Sequence, residues 1–162
     1  MDIFTIARFM FPFIGVAIFI LFSRYLLVPR FIQQRALLAG LLAGVVNMAV
    51  DAAGFALKLW HYDIGHLVAG FPLDLYITAA IVYGAVVLIV YWWIRGHHQN
   101  WIVPFLLFLP LYGLGRDYLG TLVAGATFIT WDNPYAWIAD FFGWMAIFWI
   151  PIYVFNRLTT TK

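Results

Sequence analysis

The chain has 162 residues, of which 65% are hydrophobic and only 10% are charged. A soluble domain averages about 45–50% apolar and about 25% charged residues, so this composition excludes an ordinary soluble fold and indicates a protein that has the lipid bilayer as its solvent. The formal net charge of +2 comes from nine scattered basic residues, which excludes nucleic acid as a partner, and the absence of cysteine excludes disulfides and thiolate chemistry.

Five apolar segments are each long enough to cross a bilayer as a helix, which takes roughly 20 residues. They span about 3–23, 36–58, 72–94, 101–127 and 135–156. The joints between them are short, so sequential helices should pack as antiparallel neighbours. The sequence therefore predicts an all-α, polytopic membrane protein, a single domain folded as a five-helix transmembrane bundle.

Prolines mark the starts and the irregular points of these segments. Pro72 and Pro134 stand where helices begin, a position at which the missing N–H costs nothing. Pro104, Pro110 and Pro151 fall inside segments, where they predict kinks.

Basic residues near the segment ends predict the orientation, because cytoplasmic joints carry an excess of Lys and Arg. The joints after the first and third segments and the tail hold Arg24, Arg30, Arg35, Arg95, Arg157 and Lys162. The opposite joints hold Asp63 and Asp132 with a single base, Lys58. We therefore expect a multi-pass protein of the cell membrane with its amino terminus outside and its carboxyl terminus in the cytoplasm.

Four aspartates interrupt the apolar segments, and the predicted topology places all of them in the outer half of the membrane. They are Asp51, Asp74, Asp117 and Asp140. A charge at bilayer depth costs about 2.5–3.5 kcal/mol, so we expect the four carboxyl groups to face one shared, wet interior site. The alternatives are a dipole cap for Asp74 and a structural network of ion pairs or hydrogen bonds for Asp51 and Asp117.

The helical spacing assigns neighbours to two of these acids. Asn47 and Asp51 are four residues apart and share a helix face, on which Gly54 allows a close helix approach. Arg116 lies well inside a segment and points about 100° away from Asp117 on a helix. We therefore expect it to reach an acid on a neighbouring helix.

The pattern D-x-x-G…W…D occurs twice, each time on a helix, the joint after it and the next helix. Its members are Asp51, Gly54, Trp60 and Asp74 in the first unit and Asp117, Gly120, Trp131 and Asp140 in the second. The two aspartates are 23 residues apart in both units, but the tryptophan differs in position. We interpret this as a parallel two-helix pseudo-repeat; a chance match of so few letters is the alternative.

Residues 50–77, "VDAAGFALKLWHYDIGHLVAGFPLDLYI", resemble the repeat of the lycopene cyclase domain, a family with relatives among the integral-membrane terpene cyclases. That repeat has an Asp on a helix, a joint of the type W-x-[FY]-D, and G-x-P-L-E-E opening the next helix. The matching positions here are Asp51, Trp60, Tyr62, Asp63, Gly70, Pro72, Leu73 and Asp74. Residues 117–140 match only faintly, and the paired Glu of the family are replaced by Asp74 and Leu75.

The resemblance implies an isoprenoid or carotenoid-type cyclase or isomerase that uses intramembrane Asp as proton donor and acceptor. Asp74 takes the family's acid position and Asp51 the supporting one, with Asp117 and Asp140 as partner or base. Cavity walls and substrate contacts would come from Trp60, Tyr62, Trp131, Trp137, Trp144, Asn47 and Arg116; Trp137 and Trp144 share the helix face of Asp140. The partner would be an apolar isoprenoid or a lipid-like small molecule.

No cofactor and no metal are expected, because the chain has no DDxxD-type cluster and the histidines lack a tight ligand spacing. The alternative function is a non-catalytic accessory subunit or a small binding or transport module. Its core would be an intramembrane Asp/Arg network of Asn47, Asp51, Arg116 and Asp117. Membrane lipids are partners in either case, and a homo- or hetero-oligomer in the membrane is compatible with both.

Overall fold

The computed structural model describes residues 3–63, 68, 72–122 and 129–160. Its five helices are α1 (Ile3–Tyr25), α2 (Arg30–Ala56), α3 (Leu73–His97), α4 (Ile102–Leu122, after a single 3₁₀ turn, Gln99–Trp101) and α5 (Ala136–Thr160). Four of them, all but α1, are long and apolar enough to cross a membrane, judged by length and composition. In α1, the apolar stretch among the described side chains is the shorter Phe9–Tyr25. The expected all-α class is confirmed.

The predicted segment bounds are wrong by several residues at some ends. Arg30 and Arg35, which were expected in a joint, lie in the first turns of α2. The fourth segment was predicted to continue to residue 127; α4 ends at Leu122, and residues 123–127 lie outside the described part of the chain. Pro104 lies in the first turn of α4, where its missing N–H is tolerated, so the kink expected there has no cause.

Helix α2 occupies the middle of the bundle and packs against both α3 and α5. Small residues allow its contact with α3: a Cβ on Gly84 would lie 2.5 Å from the Cα of Gly40, and one on Gly44 would lie 2.8 Å from the Tyr76 carbonyl oxygen. Helix α1 packs on α3, and α4 packs on α5. The core beneath these contacts is formed by fully buried apolar side chains such as Leu88, Ile147 and Phe148.

The apolar sequence of α3 predicted a regular α-helix, but the helix is irregular. Residues Ala79–Val86 form a π-helix between the α-helical stretches Leu73–Thr78 and Val87–His97. A π-helix closes i→i+5 hydrogen bonds, which widens the helix locally, and such insertions are frequent at functional sites. In this protein the π-helix carries Tyr83, which contacts the polar site described below.

Two joints are tied together by a short antiparallel sheet that the sequence did not predict. Strand β1 (Trp60–His61) pairs with β2 (Thr130–Trp131), with Trp60 opposite Trp131 and His61 opposite Thr130. The joint between α2 and α3 is thereby fastened to the joint between α4 and α5. The sheet marks the end of the bundle at which α2 and α4 finish and α3 and α5 begin.

Candidate polar site at one end of the bundle

All four predicted acids are buried at the end of the bundle that carries the β1–β2 sheet. Their relative exposures are 4% for Asp51, 9% for Asp74, 3% for Asp117 and 5% for Asp140. None of these side chains therefore lies on the outer surface of the bundle. Burial of a carboxyl group is costly unless hydrogen bonds or an opposite charge compensate for it, so the partners of each acid determine what it can do.

Asp51 accepts hydrogen bonds at both carboxyl oxygens from the joint that follows its own helix. The Trp60 indole N–H donates to Oδ1 at 3.2 Å, and the Tyr62 hydroxyl donates to Oδ2 at 2.8 Å. The side chain of Tyr76, on α3, also interacts with this carboxyl group. Gly54 makes the arrangement feasible, since a Cβ there would lie 2.2 Å from the Trp60 ring. The expectation that Gly54 serves a close helix approach is therefore wrong: it accommodates an indole.

Asp117 has a similar environment built from different elements. The Trp144 indole on α5 donates to Oδ2 at 2.8 Å, and the Arg116 Nε–H donates to Oδ1 at 2.8 Å. Gly113 makes room for the indole, because a Cβ there would lie 2.1 Å from the Trp144 ring. Arg116 thus forms its hydrogen-bonded ion pair with its neighbour in sequence, which was not expected, and its charge also acts on Asp140 of the neighbouring helix α5. The 100° rule fixes the direction of its Cα–Cβ bond, but the long side chain folds back.

Aromatic rings hold the Arg116 guanidinium in place. The Trp144 ring centroid lies 4.9 Å from the guanidinium carbon and that of Tyr83 lies 5.5 Å from it, which are cation–π distances. The Tyr83 hydroxyl accepts a further hydrogen bond from Arg116 at 3.1 Å. Tyr83 stands edge-on to Trp144, and Phe148 stacks on Trp144 at 5.5 Å. The cation therefore packs against aromatic rings of α3 and α5, and the Arg116 side chain remains 29% exposed.

Asp140 lies next to this ion pair. It interacts electrostatically with Asp117, with Arg116 and, more weakly, with Asp51. Its Oδ2 atom is buried and has no hydrogen-bond partner among the described residues. The structure therefore brings three acids and one arginine into a single group. Of these three acids, Asp140 is the one with a carboxyl oxygen that accepts no hydrogen bond from a described residue.

The fourth acid, Asp74, lies in the first turn of α3, and its backbone carbonyl accepts a hydrogen bond from the Thr78 hydroxyl at 2.9 Å. This helix also packs against α1. The convergence of the Asp74 carboxyl group with the other three stays a prediction.

Some of the predicted wall residues contact a buried acid and others do not. Contacts with the acids are made by Trp60, Tyr62 and Trp144, as described above. Trp131 is partly buried, its Nε1 has no hydrogen-bond partner in the described part of the chain, and its ring lies 6.1 Å from that of Tyr118.

Trp137 does not take the place expected of it, whereas the role of Asn47 stays a prediction. Trp137 is 48% exposed, so it is not an interior wall, although the spacing put it on the face of Asp140 and Trp144. The Asn47 side chain is half-buried on α2 and makes no hydrogen bond to another described side chain.

The pseudo-repeat is reflected in the sheet but not in the hydrogen bonds to the acids. The two joint tryptophans, Trp60 and Trp131, pair directly across the strands. However, the indole that binds Asp117 belongs to Trp144 on the next helix.

An exposed cluster at the β1–β2 sheet includes a contact that the sequence did not predict, between His61 and Asp132. His61 contacts Asp132 through Nδ1 at 2.8 Å and Asp63 through Nε2 at 3.1 Å. The hydrogen bond to Asp132 raises the pKa of His61 above its ordinary value of 6.5. The Thr130 hydroxyl donates to Asp63 across the strands. The local spacing His-x-Asp was the available signal, but the contact with Asp132 is made by a residue 71 positions away.

Within the described residues, no group of three or more His, Cys, Asp or Glu side chains is arranged to hold a metal ion. No protein-family model matches the chain, and neither does any curated protein or solved structure.

Proposed function

We propose that the protein crosses the cell membrane with five helices, its amino terminus outside and its carboxyl terminus in the cytoplasm. The apolar length of α2, α3, α4 and α5 supports the membrane location. The distribution of charge supports the orientation: Asp63 and Asp132 lie at the end with the β1–β2 sheet, whereas Arg24, Arg95 and Arg157 lie at the other end. Basic residues collect on the cytoplasmic side of membrane proteins.

We further propose that the protein acts on an apolar isoprenoid-type polyene as a cyclase or isomerase. The observation that carries this proposal is a group of three buried aspartates, Asp51, Asp117 and Asp140, at one end of an apolar bundle. The group includes Arg116, whose guanidinium packs against the rings of Trp144 and Tyr83. Cyclisation of a polyene needs a proton donor, a proton acceptor and aromatic faces that stabilise a carbocation. The resemblance of residues 50–77 to the lycopene cyclase domain supports the same substrate class.

Within this proposal Asp140 is the proton donor favoured by geometry. Asp51 and Asp117 already accept two donors each, whereas the Oδ2 of Asp140 has none among the described residues. The group holds three carboxyl groups and one guanidinium, which interacts with Asp117 and Asp140, so a member that carries a proton reduces the net charge of the group. Asp140 would give its proton to one carbon of a double bond, a second double bond would close the ring, and a carboxylate would remove a proton. The product is then an isomer of the substrate, and no oxidant is consumed.

Asp74 remains the donor that the resemblance implies. It is buried, but it occupies the first turn of α3, where an acid also stabilises the helix dipole. Asp140 is thus assigned from its hydrogen bonding and Asp74 from the resemblance, and mutation of each residue distinguishes between these two proton donors.

A second candidate function is a non-catalytic accessory subunit or a small binding or transport module. The saturation of Asp51 and Asp117 by Trp60, Tyr62, Arg116 and Trp144 favours it, because these bonds connect elements that a bundle must hold together. Arg116 also occupies the ring faces that a carbocation would need.

Expression in a host that accumulates acyclic carotenoids, with products separated by chromatography, tests both functions. The enzyme proposal expects a cyclised or isomerised product, which Asp140→Asn lowers by about 10²–10⁴-fold, the usual contribution of a general acid. Asp74→Asn tests the resemblance in the same way, and Asp74→Glu restores the acid of the family.

Asp132→Asn is the matched control, since this acid lies in the exposed cluster and should leave the product yield unchanged. Each variant must first be shown to reach the membrane in normal amounts. An unmutated protein that yields no product from isoprenoids of several chain lengths would refute the enzyme proposal and leave the accessory role.

A further inference from the structure

A groove opens at the other end of the bundle, between the end of α3 and the start of α4. Its volume is about 650 Å³, within the range of roughly 300–1,000 Å³ typical of small-molecule sites. The walls are formed by Trp93 and His98 on one side and by Trp101, Pro104, Phe105 and Phe108 on the other. The polar group of Asp51, Asp117 and Asp140 is not part of it.

The shape of the groove suits a hydrocarbon chain. Its α4 wall runs from Trp101 to Phe108, which at 1.5 Å per residue is about 10 Å along the helix. The rings at the two ends of this wall are bare: Trp101 is 65% exposed and Phe108 is 56% exposed. Tryptophan is the residue that membrane proteins place at the level of the lipid headgroups, so the Trp101 end corresponds to the interface and the Phe108 end to the acyl region.

The rim of the groove at the interface end is basic. The Trp93 ring stacks on His97 at 5.3 Å and lies 4.9 Å from the ring of His98, which itself lines the groove. Arg95 lies on the same helical turn, and its Nη1 donates to Asn156 at 2.5 Å. The aspartates of α2, α3, α4 and α5 lie at the opposite end, so no acid of the described helices offsets this charge.

We propose that this groove binds an anionic phospholipid, with one acyl chain along α4 and the phosphate group at Arg95 and His98. Basic pockets between membrane helices on the cytoplasmic side recognise anionic headgroups in this way. A second copy of the chain suits the rim less well, because the same end of a copy is also basic and like charges disfavour such a contact. The proposal rests on the membrane location proposed above but not on any catalytic activity.

Native mass spectrometry of the purified, delipidated full-length protein tests this inference. Dioleoyl phosphatidylglycerol and dioleoyl phosphatidylcholine are titrated in the same detergent. We expect the phosphatidylglycerol to bind at least about fivefold more tightly, and Arg95→Gln to remove most of that difference, since each basic residue near a membrane surface contributes a factor of about five. Arg35→Gln, which removes a base of the same end that contacts Phe31, should leave the preference intact.

A second pair of variants, one test and one control, examines the acyl part of the groove. Phe108 and Leu107 are 56% and 55% exposed on the same helix, but only Phe108 lines the groove. Phe108→Ala should weaken both lipids, and Leu107→Ala should weaken neither. If Arg95→Gln prevents folding because Asn156 loses its partner, His98→Gln replaces it in the headgroup test.

Three results would overturn the proposal. The first is equal affinity for the two lipids. The second is an equal loss of preference in Arg95→Gln and Arg35→Gln. The third is a lipid-free dimer that Phe108→Ala dissociates, which would assign the groove to a second copy.

Discussion

The hydrogen bond from the Trp144 indole to Asp117 offers a quantitative test of the buried polar group. Trp144 is 2% exposed and Asp117 is 3% exposed, so water cannot replace the bond when it is lost. Trp144→Phe keeps most of the ring but removes the N–H, which leaves the Oδ2 of Asp117 buried without this donor. Hydrogen bonds to charged groups contribute about 1.5–3 kcal/mol, whereas those between membrane helices average about 0.6 kcal/mol. Because the acceptor is a buried carboxylate, we expect Trp144→Phe to lower the free energy of unfolding by about 2 kcal/mol.

Trp149→Phe is the matched control on the same helix. Its indole also donates a hydrogen bond, at 3.1 Å, but the acceptor is the neutral carbonyl of Leu106 and the side chain is 37% exposed. A neutral hydrogen bond contributes about 0.5–1.5 kcal/mol, and partial exposure places this one near the lower value. The free energy of unfolding, measured by reversible denaturant titration in mixed micelles, should therefore fall less for Trp149→Phe than for Trp144→Phe.

A double-mutant cycle isolates the bond from the change in ring volume. In an Asp117→Ala background the acceptor is absent, so Trp144→Phe should cost about 2 kcal/mol less than it does in the unmutated protein. An equal cost in both backgrounds would show that the indole acts through packing alone and would refute the hydrogen-bonded arrangement of this acid.

Three further predictions concern the glycine contacts, the exposed cluster and the orientation. Gly113→Ala should destabilise the protein by at least about 2 kcal/mol, because the new Cβ would lie 2.1 Å from the Trp144 ring and overpacking of this kind costs about 1–3 kcal/mol or more. In Gly115→Ala, on the same helix, the new Cβ meets nothing within 4 Å, so this variant should be neutral or stabilising in the same denaturant titration. The pKa of His61 is raised above 6.5, so its protonated form stabilises the β1–β2 sheet fully below pH 6.5, and this stabilisation is lost as the pH rises through the higher folded-state pKa. An NMR titration of His61 should give a midpoint that Asp132→Asn lowers, and an unchanged midpoint would contradict the contact between His61 and Asp132. Reporter fusions at residues 30, 97 and 162 should report the cytoplasm and those at 65 and 132 the outside, a pattern that a cytoplasmic signal at 65 or 132 would exclude.

The helices could be predicted from the sequence because their signal is local and strong. A run of apolar residues of sufficient length specifies a helix, and a lone aspartate within it specifies a buried position, as Asp51, Asp117 and Asp140 illustrate. The pairings could not be predicted in the same way. The direction of the Arg116 Cα–Cβ bond follows from helix geometry, but the end of its four-bond side chain is placed by Tyr83 and Trp144, which belong to other helices.

Two other features depend on contacts between distant parts of the chain. Trp60 and Trp131 pair across joints that are far apart in sequence, and neither joint has the alternating pattern of a longer strand. The π-helix of Ala79–Val86 lies in a sequence of small and β-branched residues that is equally compatible with an ordinary helix. Its packing against Gly40 and Gly44 of α2 is a tertiary contact, which no local pattern reveals.

The sequence distances of the hydrogen bonds to the acids have a consequence for biosynthesis. The donors to Asp51, Trp60 and Tyr62, follow it by 9 and 11 residues, and Arg116 precedes Asp117 by one. Each of these costly carboxylates therefore leaves the ribosome together with a partner, before the next helix is complete. The contact between His61 and Asp132 spans 71 residues, which at 5–20 residues per second means a delay of roughly 4–14 s. The nascent chain can thus insert α2 with the Asp51 carboxyl group already hydrogen-bonded locally, and the sheet links the two joints only after the second joint has been made.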